Sequence, residues 1–280
     1  MHIDLILVPY DSALRGARMG AGPEHLISHG LPAYLEKRGH DVGLVTIEMP
    51  RESWRAEIRT AFDLAAMIAS RVRNSQRTGR FPIVLAGNCF SSVGVTTALG
   101  AGTGVLWFDA HGDFNSPETT IGGFLDGMAL ATIAGRCWTG MTSQLAGFAP
   151  VREQHVWLLG ARDLDAAEEE VLLDSPVSRL SADLIGADLG DLVRRELDAP
   201  ERLYVHCDLD VLDPTQGRVN QFSCAGGLTT DALCAAMRSL GSLETVAALT
   251  VTAFDPSYDD DGRVCTAAFE VIESFLSGQT

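Results

Sequence analysis

Positive charge is scarce in this chain: 21 Lys and Arg stand against 37 Asp and Glu, a formal net charge of −16. A surface so biased repels polyanions at long range, which excludes nucleic acid and an anionic membrane face as partners. No uninterrupted apolar run approaches the roughly 20 residues that a bilayer-spanning helix needs. The opening decapeptide MHIDLILVPY lacks a basic stretch ahead of an apolar core, so it does not read as a signal peptide. The six cysteines (Cys89, Cys137, Cys207, Cys224, Cys234, Cys265) form no CxxC pair, which places the chain in a reducing cytoplasm. Neither GxxxxGK[ST] nor GxGxxG occurs, which argues against nucleotide chemistry. Linkers, repeats and low-complexity tracts are missing too. With 46% hydrophobic residues, a soluble single domain over residues 1–280 with a sizeable core is expected.

What the sequence does contain is a βαβα rhythm. Apolar runs at 3–9, 41–47, 82–87, 104–110, 155–161, 202–210 and 245–254 alternate with helical patterns. Helices are expected from about Pro23 to Lys37, from Ala56 to Arg73, from near Ser91, and from about Thr266 to Leu276. Strands apolar on both faces and separated by helices predict an α/β protein, a three-layer α/β/α arrangement around a mainly parallel sheet. Residues 114–124 and 213–227 are rich in Gly, Pro, Ser, Thr and Asn and read as loops. Both follow strand ends that carry acidic residues, and ligands of open parallel sheets collect at such carboxyl ends.

Asp109, His111 and Asp113 occupy alternate positions where an apolar strand gives way to loop, so their side chains can converge. Asp208 and Asp210 repeat the arrangement at the end of another apolar run. A lone DxD is more often a solvated turn or a helix cap, and a lone histidine more often a satisfied polar residue. Two such motifs change the balance, because carboxylates buried side by side need compensating positive charge and neither motif contains Lys or Arg. Five donors exceed what one small cation takes, and a pair of divalent cations would use them all.

The segments Asp109-Ala-His-Gly-Asp-Phe-Asn-Ser-Pro117, Asp208-Leu-Asp-Val-Leu-Asp-Pro214 and Ala86-Gly-Asn-Cys-Phe-Ser91 together resemble the three metal-binding signatures of the ureohydrolases, the family of arginase and agmatinase. Arg18 to His25 resembles the family's early Gly-Pro loop, and Gly160 to Asp165 its substrate-amine loop. The resemblance implies an arginase-like fold and two manganese ions held by Asp109, His111, Asp113, Asp208 and Asp210, with no organic cofactor. It also implies that Asp113 orients the attacking water. Cys89 stands where the family has a ligand histidine. A buried thiol packing as a small hydrophobe is the plain alternative, but beside a dication a thiolate ligand is favoured.

Two further departures bear on the substrate. Asp126 stands where arginases carry a proton-shuttle histidine; it could relay protons if its pKa were raised, or be an ordinary helix-start residue. Ala253 stands where the family has the carboxylate that receives a guanidinium. Losing that partner disfavours arginine and suits an N-hydroxyguanidine, which can bind neutral. The combination of Cys89, Asp126 and Ala253 resembles family members that act on N-omega-hydroxy-L-arginine in D-cycloserine biosynthesis, implying a hydroxyguanidino amino acid as small-molecule substrate and hydroxyurea and L-ornithine as products.

By the same resemblance Asn115 contacts the substrate α-carboxylate, and Asp165 and Glu168 the α-amino group. A capped helix start explains those two acids equally well. Gly122 replaces a carboxylate-binding serine, and the loop from Arg218 to Phe222 departs from the family pattern. The rival expectations are an ordinary amidinohydrolase of arginine, agmatine or another guanidino acid, and a silent relative that only binds metal. The chain stops at Ser277-Gly-Gln-Thr280, short of the tail that joins arginase trimers, so a monomer is expected.

Overall fold

The structure, a computed structural model, describes residues 1–49, 56–197 and 200–279. The first third of the chain contains β1 (His2–Val8), a hairpin of β2 (Tyr10–Asp11) and β3 (Leu14–Arg15), α1 (Gly22–Ser28), α2 (Leu31–Glu36), β4 (Asp41–Thr46), α3 (Glu57–Arg77), β5 (Phe81–Ala86) and α4 (Ser92–Leu99). The middle holds β6 (Thr103–Phe108), α5 (Ala129–Ile133), α6 (Thr139–Thr142), β7 (Val156–Leu159), α7 (Ala166–Leu173), β8 (Ser178–Leu180) and α8 (Leu189–Glu196). The last part is β9 (Arg202–Asp208), α9 (Thr230–Gly241), β10 (Val246–Thr252) and α10 (Arg263–Gly278).

Eight strands form one sheet in the order β4-β1-β5-β10-β9-β6-β7-β8, and every pairing in it is parallel. Alternate side chains enter two separate cores. Ile3, Leu5, Ile83, Leu85, Val205 and Leu249 face one core with α1, α2, α8, α9 and α10, while Ile6, Val84, Val105, Trp107 and Tyr204 face the other with α3, α4 and α5. Because both faces are covered, the strands are continuously apolar, as the runs in the sequence imply. The three-layer expectation is met.

One expected element is corrected. The helix anticipated from Pro23 to Lys37 is two helices, interrupted at Gly30, whose φ of 97° lies in the left-handed region. Pro32 at the start of α2 has no N–H to give to a continuing ladder, so the chain turns and restarts there. The short strand β8, the β2–β3 hairpin and the helices α7 to α9 add to the elements that periodicity indicates.

Packing behind the site is tight between α3 and α4. A Cβ added at Gly94 would lie 2.6 Å from Ala65 O and 2.7 Å from Ile68 Cβ, so neither helix can yield without moving. Gly94→Ala is expected to lower stability by about 1–3 kcal/mol, read as a lower denaturant midpoint at unchanged slope. An unchanged midpoint would show that the two helices are free to part.

Candidate metal centre

The sheet order sets β5, β10, β9 and β6 side by side, and their carboxyl ends open on one cavity of about 290 Å³. Cys89 enters from the turn after β5, Ala253 from the end of β10, Asp208 and Asp210 from the end of β9, and Asp109, His111 and Asp113 from the segment after β6. The ten residues named from the sequence as metal ligands, catalytic groups or substrate contacts line this cavity, Asn115, Asp126, Asp165 and Glu168 among them, as do Ala253 and Gly122.

Turns, more than strand alternation, bring the acidic groups together. β6 ends at Phe108, and Asp113 has φ 49°, a left-handed conformation foreign to a strand. In both motifs the backbone N–H two residues on donates back to the first carboxylate: His111 N to Asp109 Oδ1 at 2.8 Å, and Asp210 N to Asp208 Oδ1 at 2.8 Å. That bend turns the second side chain of each motif inward. Ala110 N donates to Asp210 Oδ1 at 3.2 Å and ties the two turns to each other.

The donors are close. The Cys89 thiol lies 3.0 Å from Asp208 Oδ2 and 4.0 Å from Asp109 Oδ2. His111 Nδ1 is 3.1 Å from Asp109 Oδ1 and 3.5 Å from Asp210 Oδ2. Asp109, Asp113, Asp208 and Asp210 are all buried, and among the described residues no Lys or Arg lines the cavity. Burial, then the neighbouring carboxylates, push Asp208 and Asp113 well above the ordinary carboxylate range and Asp109 to about 6. Burial opposes the charged form of His111, but Asp210, Asp109 and Asp113 outweigh it and hold its pKa at about 11. The Cys89 thiol is pushed well above its usual value by burial and then by Asp208.

Such a set fits divalent cations. Asp113 Oδ2 is buried without any hydrogen-bond partner, and a carboxylate oxygen in that condition is costly unless something positive meets it. Ligand atoms of Asp109, His111 and Asp210 lie within 4.8 Å of one another, as do those of Cys89, Asp109 and His206. His206 escapes a search confined to the acidic pairs. Its signal is spacing: it precedes Asp208 by two, as Asp208 precedes Asp210. Burial keeps its imidazole neutral. Other unanticipated contacts are Trp107 Nε1, which donates to Asp109 Oδ2 at 3.2 Å, and Asn220 Nδ2, which donates to Asp210 Oδ2 at 3.2 Å and to Ala253 O at 2.9 Å.

Around this centre, Asp126 Oδ1 accepts from Phe90 N at 2.7 Å and Oδ2 from Asn88 Nδ2 at 2.9 Å, so its carboxyl braces the turn that carries Cys89. Burial raises its pKa to about 7 against the pull of those donors. Asp165 and Glu168 form a capping box at the start of α7. Glu168 Oε1 also accepts from Phe114 N at 2.7 Å, and Asn115 Nδ2 donates to Asp165 Oδ2 at 3.1 Å. The helix-start explanation therefore holds for both acids, while the box sets Asp165 beside Asn115 on the cavity wall. Phe124 and Phe222 stack at 5.6 Å on the cavity lining, with Phe222 edge-on to His111 at 6.2 Å.

Buried carboxylates, an imidazole and a thiol at the carboxyl ends of a parallel sheet mark the class, an α/β protein with a candidate metal centre. The family is equally plain: the arginase-family model matches residues 1–278, and the chain belongs to the arginase family. It is similar to the arginase of Bacillus subtilis strain 168, with 27% identity over 98% of this chain and 97% of that one. The arginase of Bacillus caldovelox is 26% identical over 98% and 97% of the two chains. The crystal structure of arginase from Bacillus cereus superposes with a TM-score of 0.88 at 26% identity, covering 100% of this chain and 99% of that one. A formimidoylglutamase from Bacillus subtilis, at 20% identity and a TM-score of 0.77 over 99% and 87% of the chains, shares the fold. The chain is accordingly a metal-dependent amidinohydrolase, an enzyme of guanidino C–N bonds. Among the described residues no helix is long and apolar enough to cross a membrane.

The raised carboxyl pKa values fix how stability depends on pH. Asp109 and Asp126 titrate at about 6 and about 7 in the folded chain, against about 4 when unfolded. Between those limits the folded state binds more protons, so the cation-free protein loses stability as pH rises from about 4 to 7. Divalent cations are therefore expected to raise the melting temperature far more at about pH 7 than at about pH 4.5. Asp109→Asn should flatten that difference in thermal melts; an equal gain at both pH values would contradict the assignment of the burial cost to these carboxyls.

Proposed function

We propose that this member of the arginase family hydrolyses N-omega-hydroxy-L-arginine to hydroxyurea and L-ornithine, with D-cycloserine biosynthesis as its setting. The observation that carries this reading is Ala253. Its buried methyl lines the cavity at the position where the family resemblance puts the carboxylate for a guanidinium. An arginine guanidinium is always charged and needs that carboxylate; the less basic hydroxyguanidine can enter neutral.

In this reading Cys89, Asp109, His111, Asp113, Asp208 and Asp210 hold two divalent cations, manganese by the family resemblance. When bound, the ions ionise water and polarise the group under attack. Asp113, whose Oδ2 has no protein partner, orients the attacking water. Asn115 and Asp165 take the amino-acid end of the substrate, with Glu168 fixing Asp165 through its backbone N–H at 3.3 Å. Asp126, with a pKa of about 7, can hold a proton near neutrality and pass it to the leaving amine. Water supplies oxygen to the hydroxyguanidine carbon, one proton to the amine of ornithine as the C–N bond breaks, and the other to a nitrogen of the hydroxyurea.

An arginine- or agmatine-directed enzyme is the second reading. It is favoured by that same Asp126, which could serve as the shuttle an arginase needs. A substrate panel on the manganese-loaded protein separates the possibilities. Hydroxyarginine should turn over well and arginine poorly; a preference for arginine reverses the assignment, and no product from any guanidino compound leaves a protein that only binds metal. In the same assay Ala253→Glu should shift the ratio of kcat/KM towards arginine by about tenfold or more, the value of one charged hydrogen bond.

A further inference from the structure

The two groups of donors in the centre differ in chemical kind. Asp109, His111 and Asp210 offer carboxylate oxygen and one imidazole, whereas Cys89, Asp109 and His206 offer sulfur, oxygen and nitrogen. We propose that His206 supplies an imidazole ligand to the cation at the Cys89 side, making that position a sulfur–nitrogen–oxygen site that takes a zinc-class ion in preference to manganese. The proposal rests on the reading that the centre holds two cations, and it assigns them different identities.

Position and restraint of the ring support it. His206 lies on β9, two residues before Asp208, and its imidazole is completely buried. Trp107 stacks on it with ring centroids 3.6 Å apart. Nδ1 is 2.8 Å from Ser92 Oγ; a proton on Nδ1 donated to that hydroxyl leaves the Nε2 lone pair for the centre. Such an outward hydrogen bond on the far nitrogen is the usual support of a ligating histidine. Nε2 points the right way, since it lies 3.3 Å from Thr252 Oγ1, itself 3.3 Å from Cys89 Sγ. Cys89 replaces an imidazole by resemblance, and His206 returns one from the adjoining strand.

Ligand chemistry then separates the two positions. Thiolate and imidazole are donors for zinc, which accepts four ligands without geometric preference from d electrons. Cys89 and His206 offer those two, Asp109 adds a carboxylate oxygen, and Asp208 Oδ2 adjoins the thiol at 3.0 Å. Manganese prefers oxygen ligands, the dominant type on the His111 side. On binding, the Cys89 thiol forms its bond to the ion and releases its proton to solvent, and no electrons change hands.

The test uses the full chain stripped of metal and given one equivalent of zinc, with zinc-edge X-ray absorption as the readout. About one sulfur per zinc near 2.3 Å is expected, together with imidazole scattering. Cys89→Ser should remove the sulfur. His206→Gln should remove the imidazole signal and keep the sulfur, whereas His111→Gln should leave both. Half a sulfur or less per zinc in the wild type, a result that needs no variant, overturns the proposal. So does imidazole scattering that survives His206→Gln and vanishes in His111→Gln. Activity is read separately: hydroxyarginine turnover with a sulfur-free zinc spectrum would remove this inference and leave the functional reading standing, and the opposite pair of results would do the reverse.

Discussion

Six carboxyl groups, those of Asp109, Asp113, Asp126, Glu168, Asp208 and Asp210, are buried in one cavity whose walls, among the described residues, carry no lysine or arginine, and the rest of the molecule is arranged around that condition. Two like charges 4 Å apart repel by about 4 kcal/mol at the effective dielectric typical of proteins. The single imidazolium of His111 can answer one of them at most. Without cations the centre relaxes by holding protons: Asp208 accepts from a neutral thiol at 3.0 Å, and the Asp109, Asp113 and Asp208 carboxyls all titrate high. A dication reverses each of these adjustments at once. The centre is thus a poor place for isolated acids and a good one for metal, and the strands that carry it are packed between two apolar cores.

Topology does what local sequence could not. The donors come from residues 89, 109 to 113 and 206 to 210, three places far apart along the chain, yet the strands that deliver them, β5, β9 and β6, lie together with β10 consecutively in the sheet. Register completes the arrangement: Thr252 pairs with Asp208 across β10 and β9, and Thr252 with Ala86 across β10 and β5. Side chains on the α3 and α4 side of the sheet then form a floor of Trp107, His206 and Tyr204. The Tyr204 hydroxyl is hydrogen-bonded to Ser92 Oγ at 2.6 Å and to Thr250 Oγ1 at 2.7 Å, donating in one and accepting in the other, so hydroxyls there hold one another. The floor is polar where it meets the cavity and dry beneath, which is the setting in which a fixed ligand ring is useful.

Much of this was legible in the sequence, and the reasons differ from residue to residue. Strands buried on both faces are unbroken apolar runs, so β1, β5, β6, β9 and β10 announce themselves, and the paired DxD spacing marks the centre. The cause assigned to that spacing was incomplete. Strand alternation predicts convergence for any i, i+2 pair, but the bend that Asp109 and Asp208 impose through their own backbone hydrogen bonds aims the second residue of each pair. His206 stayed hidden because a histidine inside an apolar strand reads as core, and only the register of β9 against β6 puts its ring on Trp107. The break at Gly30 and the brace from Asp126 to the Cys89 turn depend on φ angles and long-range contacts that periodicity does not carry.

The end of β10 at Ala253 and the loop from Arg218 to Phe222 are tied together. Asn220 donates through its amide to both the Ala253 carbonyl and Asp210 Oδ2, so the loop, the β10 end and the acidic centre share a single side chain. Ala253 sits at φ 59°, where a left-handed backbone costs roughly 1 kcal/mol or more; the Asn220 bond to its carbonyl is part of what holds it there. Further along the same loop Phe222 lies against His111 and stacks on Phe124. Around Ala253 and Phe222 the cavity therefore presents apolar surface, while the buried carboxylates of Asp109, Asp113, Asp208 and Asp210 line it beside them. A substrate whose reacting end can shed its charge suits such a wall, and a permanently cationic one would leave its charge desolvated and unmatched there.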